Sequence, residues 1–347
     1  GLSAAIEAGR LCKNVVILDD KPMLGGQLVK QTHRFFGDAR HYAGVRGIRI
    51  ASELTRTIDE LKSVKPLTNT RVFGLYDGNM IGAVRDFDLV KITARKIIIA
   101  TGAYERTLVF ENNDLPGVYG SGGVQTLMNT YGVIPGSVGL VVGSGNVGLI
   151  LAYQLLQSGV NVKAILEALP RIGGYFVHAA KVRRYGVEIL TRHSVLKAVG
   201  GKKVEGAVIA RLDEKWNPMP GTERTIDCDF ICIAVGLNPT YELIQQAGCE
   251  MKFMPDLGGF VPTRTRHMGV ADNVYVAGDL AGIEEATTAM LEGQIAGLHA
   301  SLALGYGGKE QQATIDRLLA ELDTERAGPF GERIRRGLGQ VVKLEAT

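Results

Sequence analysis

The residues best placed to do chemistry in this 347-residue chain are glycines and acids at strand ends. Gly143-Ser144-Gly145-Asn146-Val147-Gly148 follows the apolar run Val138–Val142 and precedes a helical pattern bearing Leu149, Ala152, Leu155 and Leu156. In a G-x-G-x-x-G so placed, the first glycine makes the turn and the second admits a pyrophosphate. The third lets helix and strand pack closely. The helix N-terminus then receives the negative phosphate. Glu167 lies 19 residues beyond Gly148, at the end of a strand over 160–166. A carboxylate there can hold a ribose 2′-hydroxyl, which favours NAD(H) over its phosphorylated form.

A second, partial set of the same kind runs from the start of the chain. Residues 1–9 read as a helix with Leu2, Ala5 and Ile6 at helical spacing, and Val15–Leu18 as a buried strand ending in Asp19-Asp20. Helix then strand with a terminal acid is the second half of a βαβ unit, with Gly1 as the third glycine of its fingerprint. The first strand and the other two glycines would precede Gly1. They are expected outside the present sequence, because a central parallel strand supplies ladder partners that its neighbours need. Near the far end, the strand 273–277 runs into Gly278-Asp279. An Asp there can bind a ribityl hydroxyl or a pyrophosphate-bound water. The dipole of the next helix, expected over about 284–304, favours electron density on a flavin's pyrimidine edge. A plain turn is the competing reading of Gly278-Asp279. Glu284-Glu285 at that helix start is explained by helix electrostatics alone, with a cofactor-adjacent role as the alternative.

These sites require strands and helices in alternation, so the fold class is α/β: two Rossmann-like dinucleotide-binding domains, one inserted in the other. Residues 1–115 and 251–305 are assigned to the outer, FAD-binding domain, 116–250 to the inner, NAD-binding domain, and 306–347 to a C-terminal helical tail. The outer domain contains the Gly25-Gly26-Gln27 loop, a helix at 50–61 and an antiparallel excursion with strands at 71–76, 80–84 and 88–92. Its strand 97–100 is closed by Thr101-Gly102. The inner domain adds a helix near 176–184, a strand at 187–190, a β pair over 194–211 and a strand at 230–235. Apolar positions 315, 318, 319 and 322, then 330, 334, 338 and 341, predict two amphipathic tail helices.

Composition excludes several classes. A formal charge of +3 is too small to argue for a nucleic-acid surface. No apolar run reaches the length of a transmembrane span. A cytoplasmic location is expected, peripheral to the inner membrane face only through partners. Cys12, Cys228, Cys232 and Cys249 include no C-x-x-C pair and read as small core fillers in a reducing compartment. The six histidines lack metal-ligand spacing, and no G-x-S-x-G elbow or Walker loop competes for the site.

Taken together, the chain resembles the flavoproteins with two dinucleotide-binding domains that are related to pyridine nucleotide-disulfide oxidoreductases, over nearly all of it to about residue 305. Gly25-Gly26-Gln27, the segment 100–106, Leu115-Pro116-Gly117-Val118 and residues 121–127 look like one branch. That branch holds the FAD/NAD-binding subunits of hydrogen cyanide synthase, opine oxidase, dye-linked proline dehydrogenase and heterotetrameric sarcosine oxidase. The resemblance implies FAD contacts from Gly1, Asp19, Gly26, Gln27, Thr101, Gly102, Gly278 and Asp279. It implies a second nucleotide at Gly143, Gly145, Gly148 and Glu167. Relatives that reduce disulfides need a redox cysteine pair, which this chain lacks. Longer relatives carry a cysteine-rich iron–sulfur region, for which four spaced thiolates are absent here. The expected activity is electron transfer between FAD and NAD(H) or a partner, in a hetero-oligomer whose other FAD subunit oxidises an amino acid or amine. A structural subunit without turnover of its own, and a stand-alone NADH oxidase or dehydrogenase, are the alternatives.

Overall fold

A computed structural model describes residues 1–34, 39–329 and 331–343. The chain divides into two compact units. Gly1–Val29, Arg34–Tyr104 and the chain from Asn238 onward form the first; Lys30–His33 and Glu105–Leu237 form the second. The changeovers thus fall after Tyr104 and Leu237, whereas the sequence reading placed them at 115 and 250. The tail helices Lys309–Glu325 and Glu332–Val341 belong to the first unit. Position 330 of the expected tail pattern lies outside the described residues.

The second unit is built on a five-stranded parallel sheet. Its order is Glu188–Thr191, Asn161–Glu167, Val138–Val142, Phe230–Ile233, Val118–Gly120. The fingerprint strand Val138–Val142 is therefore central. The two-residue alternation of strand side chains divides this sheet's residues between two cores. Val141, Ile165, Phe230 and Cys232 meet Leu149, Ala152, Leu155 and Val182 of the helices Asn146–Gln157 and Phe176–Arg184. Leu140, Val142, Ala164, Leu166, Ile231 and Ile233 meet Val195, Ala198, Ala207 and Ile209 of an antiparallel meander. That meander has three strands, His193–Val199, Gly206–Arg211 and Arg224–Asp227, so the expected β pair gains a third member. The layers are helices, parallel sheet and meander. Lys30–His33 joins this unit through polar contacts: Gln154 Nε2 donates to Thr32 Oγ1 (2.7 Å) and Asn129 Nδ2 to the Lys30 carbonyl (2.7 Å).

In the first unit, Val15–Leu18 pairs in parallel with Val64–Leu67, and Ile97–Ile99 with Val274–Val276. Thr70–Tyr76, Met80–Arg85 and Asp88–Thr93 form the expected antiparallel excursion, turned at Asp77-Gly78. Helix Ala286–Leu302 packs along helix Leu2–Leu11. This approach requires small residues on both sides. A Cβ on Gly293 would sit 3.2 Å from Ser3 Cβ, and one on Gly297 only 2.4 Å from the Ala4 carbonyl oxygen. Leu291, Ile295 and Leu298 fill the other side of the long helix against Ile315, Leu318 and Leu322 of the tail, which is why the tail is part of this unit.

Gly297→Ala should therefore destabilise the first unit by about 1–3 kcal/mol through overpacking against a backbone atom. Gly339→Ala, at an exposed helical position with nothing within 4 Å of the new Cβ, should stabilise it by about 0.5–1 kcal/mol. Urea midpoints of the two variants test the pair; equal effects would refute the close-packed helix contact.

Candidate nucleotide-binding sites

The loop between Val142 and Asn146 gives each fingerprint glycine a different reason. Gly143 adopts φ +109°, and a Cβ there would lie 2.2 Å from the Ala234 carbonyl oxygen. A Cβ on Gly148 would lie 2.1 Å from the Gly143 carbonyl oxygen. Both are demanded by the protein's own packing. Gly145 is different. Its φ of −65° and ψ of 174° suit any L-residue, and no protein atom lies within 4 Å of a Cβ placed on it. The fold does not itself forbid a Cβ there, so the lack of one keeps space clear at the first turn of helix Asn146–Gln157. No side chain caps that N-terminus. Space, N–H groups and helix dipole together fit a pyrophosphate.

Glu167 ends the neighbouring strand Asn161–Glu167 and is 9% exposed. Its Oε2 accepts from the Ser144 N–H (3.1 Å) and the Ser144 hydroxyl (2.5 Å), and its Oε1 from the Leu169 N–H (2.9 Å). Ser144 Oγ in turn accepts from the Gly173 N–H (3.1 Å), while the Gly174 N–H donates to the Ser144 carbonyl (2.8 Å). The Tyr175 N–H reaches Asn146 Oδ1 (2.8 Å). The acid and the glycine loop are thereby locked to each other and to the turn 169–175. The sequence placed Glu167 at this strand end but did not single out Ser144, whose buried hydroxyl carries the link; its position inside the fingerprint was the available signal.

Glu105, from the segment 100–106, does its work at another helix start. Its Oε1 accepts from the Ser121 hydroxyl (2.5 Å) and the Gly122 N–H (2.5 Å) at the N-terminus of helix Ser121–Tyr131. Lys30 Nζ donates to the Gly122 carbonyl (3.1 Å). An acid at a helix N-terminus is favourable in its own right.

In the first unit Asp19, Thr101-Gly102 and Gly278-Asp279 follow the C-terminal ends of parallel strands, where ligands of open α/β sheets bind. Val276 is in register with Ile99, and the Ala277 N–H donates to the Ile99 carbonyl (3.2 Å). Thr101-Gly102 and Gly278-Asp279 are thus brought to one edge. Gly1 lies against Ala100, with Cβ-to-Cβ spacing of 3.7 Å for an added methyl group. Asp19 closes Val15–Leu18 and accepts the Lys21 N–H (2.9 Å); burial raises its pKa above the ordinary carboxylate value. Gly26 (φ +54°) and Gly102 (φ +70°) have nothing within 4 Å of an added Cβ, whereas a Cβ on Gly25 would meet Val29 Cγ1 at 2.4 Å. Gln27 is exposed on the short 3-10 helix Gly26–Lys30. Thr101 Oγ1 donates to the Thr240 carbonyl (2.9 Å), and the Thr240 N–H returns to the Gly102 carbonyl (2.9 Å). This threonine therefore also fixes the chain's return.

Asp279 is half-buried, and its pKa is pushed up to about 6 by burial first and then by Glu292, Glu284 and Glu285. The Glu284 backbone N–H bonded to it acts in the opposite direction. A carboxyl group at such a strand-end turn can bond a hydroxyl-bearing chain. All four cysteines are buried and unpaired by disulfide. Burial raises the thiols of Cys228, Cys232 and Cys249, that of Cys228 to about 12, the reverse of what a redox thiolate needs. No described helix is long and apolar enough to cross a membrane.

The chain is similar to several known proteins. The chain is 31% identical over 300 residues to the alpha subunit of sarcosine oxidase from Rhizobium meliloti, covering 81% of this chain and 28% of that one. It is 28% identical over 318 residues to the hydrogen cyanide synthase subunit HcnB of Pseudomonas aeruginosa, covering 86% of this chain and 68% of the relative. An opine oxidase subunit from Agrobacterium tumefaciens is 27% identical over 86% of this chain and 63% of its own. The chain thus spans less than a third of the length of the sarcosine oxidase polypeptide it matches. Among solved structures, L-proline dehydrogenase from P. horikoshii superposes with a TM-score of 0.69 at 22% identity, over 91% of this chain and 56% of that one. Thioredoxin reductase from T. acidophilum superposes with the same score at 21% identity, over 88% and 95%. These two show the fold, that of FAD/NAD(P)-binding oxidoreductases with two Rossmann-like domains. The family model described as pyridine nucleotide-disulphide oxidoreductase matches residues 1–293, and the chain belongs to that family.

Proposed function

We propose that this chain is the flavin- and nicotinamide-binding part of an FAD-dependent oxidoreductase that serves an amino-acid or amine oxidase or dehydrogenase. In this reading the first unit holds FAD and the second holds NAD(H). The observation that carries the nucleotide assignment is Gly145, a glycine for which the protein's own packing gives no reason. FAD, when bound, supplies two-electron chemistry of its own; the protein supplies orientation and electrostatics. Asp19 would hold an adenosine ribose and Asp279 a ribityl hydroxyl. Gly1, Gly26, Gln27, Thr101 and Gly102 would let the backbone close on the cofactor, and Gly278 would turn the chain toward it. In the second unit Gly143 and Gly148 shape the loop, Gly145 admits the pyrophosphate and Glu167 takes the ribose. The buried thiols leave a nicotinamide nucleotide or a partner protein as the other electron carrier. Three of the relatives above are subunits by name, which supports a hetero-oligomer; in this reading its partner is a separate substrate-oxidising FAD subunit and the assembly is cytoplasmic.

The test is anaerobic titration of the full-length protein, with any native partner, by NADH, NADPH and candidate amino acids in turn. Bleaching of bound flavin by NADH is expected. A full-length protein that binds no flavin would sink the reading. Bleaching by an amino acid without a partner would sink its electron-handling part, and a flavin inert to NADH would leave an assembly role.

Two variants sharpen it. Gly145→Ala should fold and keep its flavin, because the new Cβ meets no protein atom beyond its chain neighbours. It should be reduced by NADH at least about tenfold more slowly, since the second glycine's absent side chain is what admits the pyrophosphate. Asp279→Asn should weaken FAD binding and yet stabilise the flavin-free protein. The folded pKa of about 6 stands above the ordinary 3.8, so ionisation costs stability. That cost is absent below about pH 4 and complete above about pH 6, on the order of 3 kcal/mol. Thermal melts of both proteins from pH 4 to 8 should converge at the acid end; parallel curves would contradict the buried-carboxylate account.

A further inference from the structure

The tail beyond Tyr306 carries one side chain that reaches the proposed flavin site by way of buried charges. Arg326 caps helix Lys309–Glu325, and its side chain is 8% exposed. Its Nε donates to Glu284 Oε2 (2.9 Å) and its Nη2 to Glu284 Oε1 (2.6 Å). The same Nη2 donates to Glu292 Oε1 (2.6 Å). Glu292, on helix Ala286–Leu302, also receives Nη2 of the fully buried Arg264 on Oε1 (2.9 Å). Its remaining oxygen, Oε2, accepts the N–H of Gly278 (3.0 Å). The chain of contacts therefore runs Arg326, Glu292, Gly278, and ends at the turn that presents Asp279. The loop carrying Arg326 is itself clamped: Arg335 Nη1 donates to the Gly328 carbonyl (2.9 Å) and to the Arg326 carbonyl.

We propose that Arg326 is a positioning residue of the flavin site: it fixes Glu292, which fixes the Gly278 N–H, and it balances the charge beside Asp279. The inference rests on the reading of Gly278-Asp279 as flavin-binding. Arg264 and Arg326 offset Glu284 and Glu292, so the four buried groups sum to zero. Removal of Arg326 leaves one uncompensated carboxylate in a dry interior, which is costly. The excess negative charge then lies next to Asp279, against which Glu284, Glu285 and Glu292 already bear. Like charge there opposes an ionised Asp279, and a loosened Glu292 frees the turn that aims it.

The experiment compares R326M, R326K and R326M/E284Q in the full-length protein. One readout needs no flavin: amide exchange of the segment 274–283, with segment 138–150 as the reference. The other is FAD affinity of the stripped protein, measured by quenching of flavin fluorescence. R326M should speed exchange at 274–283 selectively and weaken FAD by about tenfold or more, in keeping with a broken buried pair. R326M/E284Q removes one charge of each sign and should recover most of the affinity, which lost packing alone would not do. If R326M does not fold, R326K decides: it keeps the charge but cannot span both carboxylates, and smaller shifts in the same directions are expected. Native exchange and native affinity in the arginine variants would overturn the proposal, as would a double variant no better than R326M. A native full-length protein that takes up no FAD overturns instead the flavin reading beneath it.

Discussion

The second unit depends on one constraint, that a buried central strand must end in a turn with no side chains in the way. Gly143 must bend beneath the Ala234 carbonyl and Gly148 must let helix Asn146–Gln157 lie on the strand. Both conditions are local and steric. With them met, Val141 and Val142 can face opposite cores, and the helix can offer its N-terminus at the strand end. The lock between Ser144 and Glu167 then ties that turn to the next strand with backbone and side-chain hydrogen bonds. In the proposed reading the same arrangement is scaffold and receptor at once, and Gly145 separates the roles, because packing leaves its Cβ position open.

What could be read in the sequence follows from how far apart the interacting residues lie. Strand, glycine loop, helix and terminal acid from Val138 to Glu167 fall within thirty residues, and each has its own periodicity or residue type, so their placement was legible. The excursion 70–93 was legible for the same reason, through the Asp77-Gly78 turn between neighbouring strand-like runs. Lys30–His33 was not. Its membership of the second unit rests on Gln154 and Asn129, 122 and 99 residues away, and polar side chains carry no period. Strand Arg224–Asp227 has one half-buried residue and three exposed ones, so no apolar signal marks it. The tail helices declared themselves by their apolar faces, but Arg326 looked like any terminal basic residue. Its partners, Glu284 and Glu292, are 42 and 34 residues upstream.

The first unit illustrates a different economy. Helix Ala286–Leu302 is apolar or small nearly all round because it is enclosed by helix Leu2–Leu11 on one side and the tail on the other. Gly293 and Gly297 cost helix propensity, and the close approach they permit recovers it in contact area. Glu292 sits in the middle of this helix, where a lone carboxylate would be unsupportable. It persists because two guanidinium groups and the Gly278 N–H consume its lone pairs. A pair of apolar residues would serve stability as well or better. Retention of four buried charges directly behind a strand-end turn is therefore better explained by control of that turn than by stability.

The cysteines carry the last step. Members of this fold that reduce disulfides need a thiolate pair within reach of the flavin, held at low pKa by nearby positive charge. Here Cys232 lies inside the central sheet between Ile231 and Ile233, and Cys228 stands beside Asp227 and Asp229, whose charges reinforce burial in raising its pKa. Both environments suppress ionisation, and neither thiol has a cysteine within C-x-x-C spacing. These thiols are therefore poorly suited to exchange with a disulfide, while glycine loops and strand-end acids are present in both units. Buried thiols together with two sets of strand-end glycines and acids thus support the reading proposed above, in which electrons pass to a nucleotide or a partner rather than to a sulfur substrate.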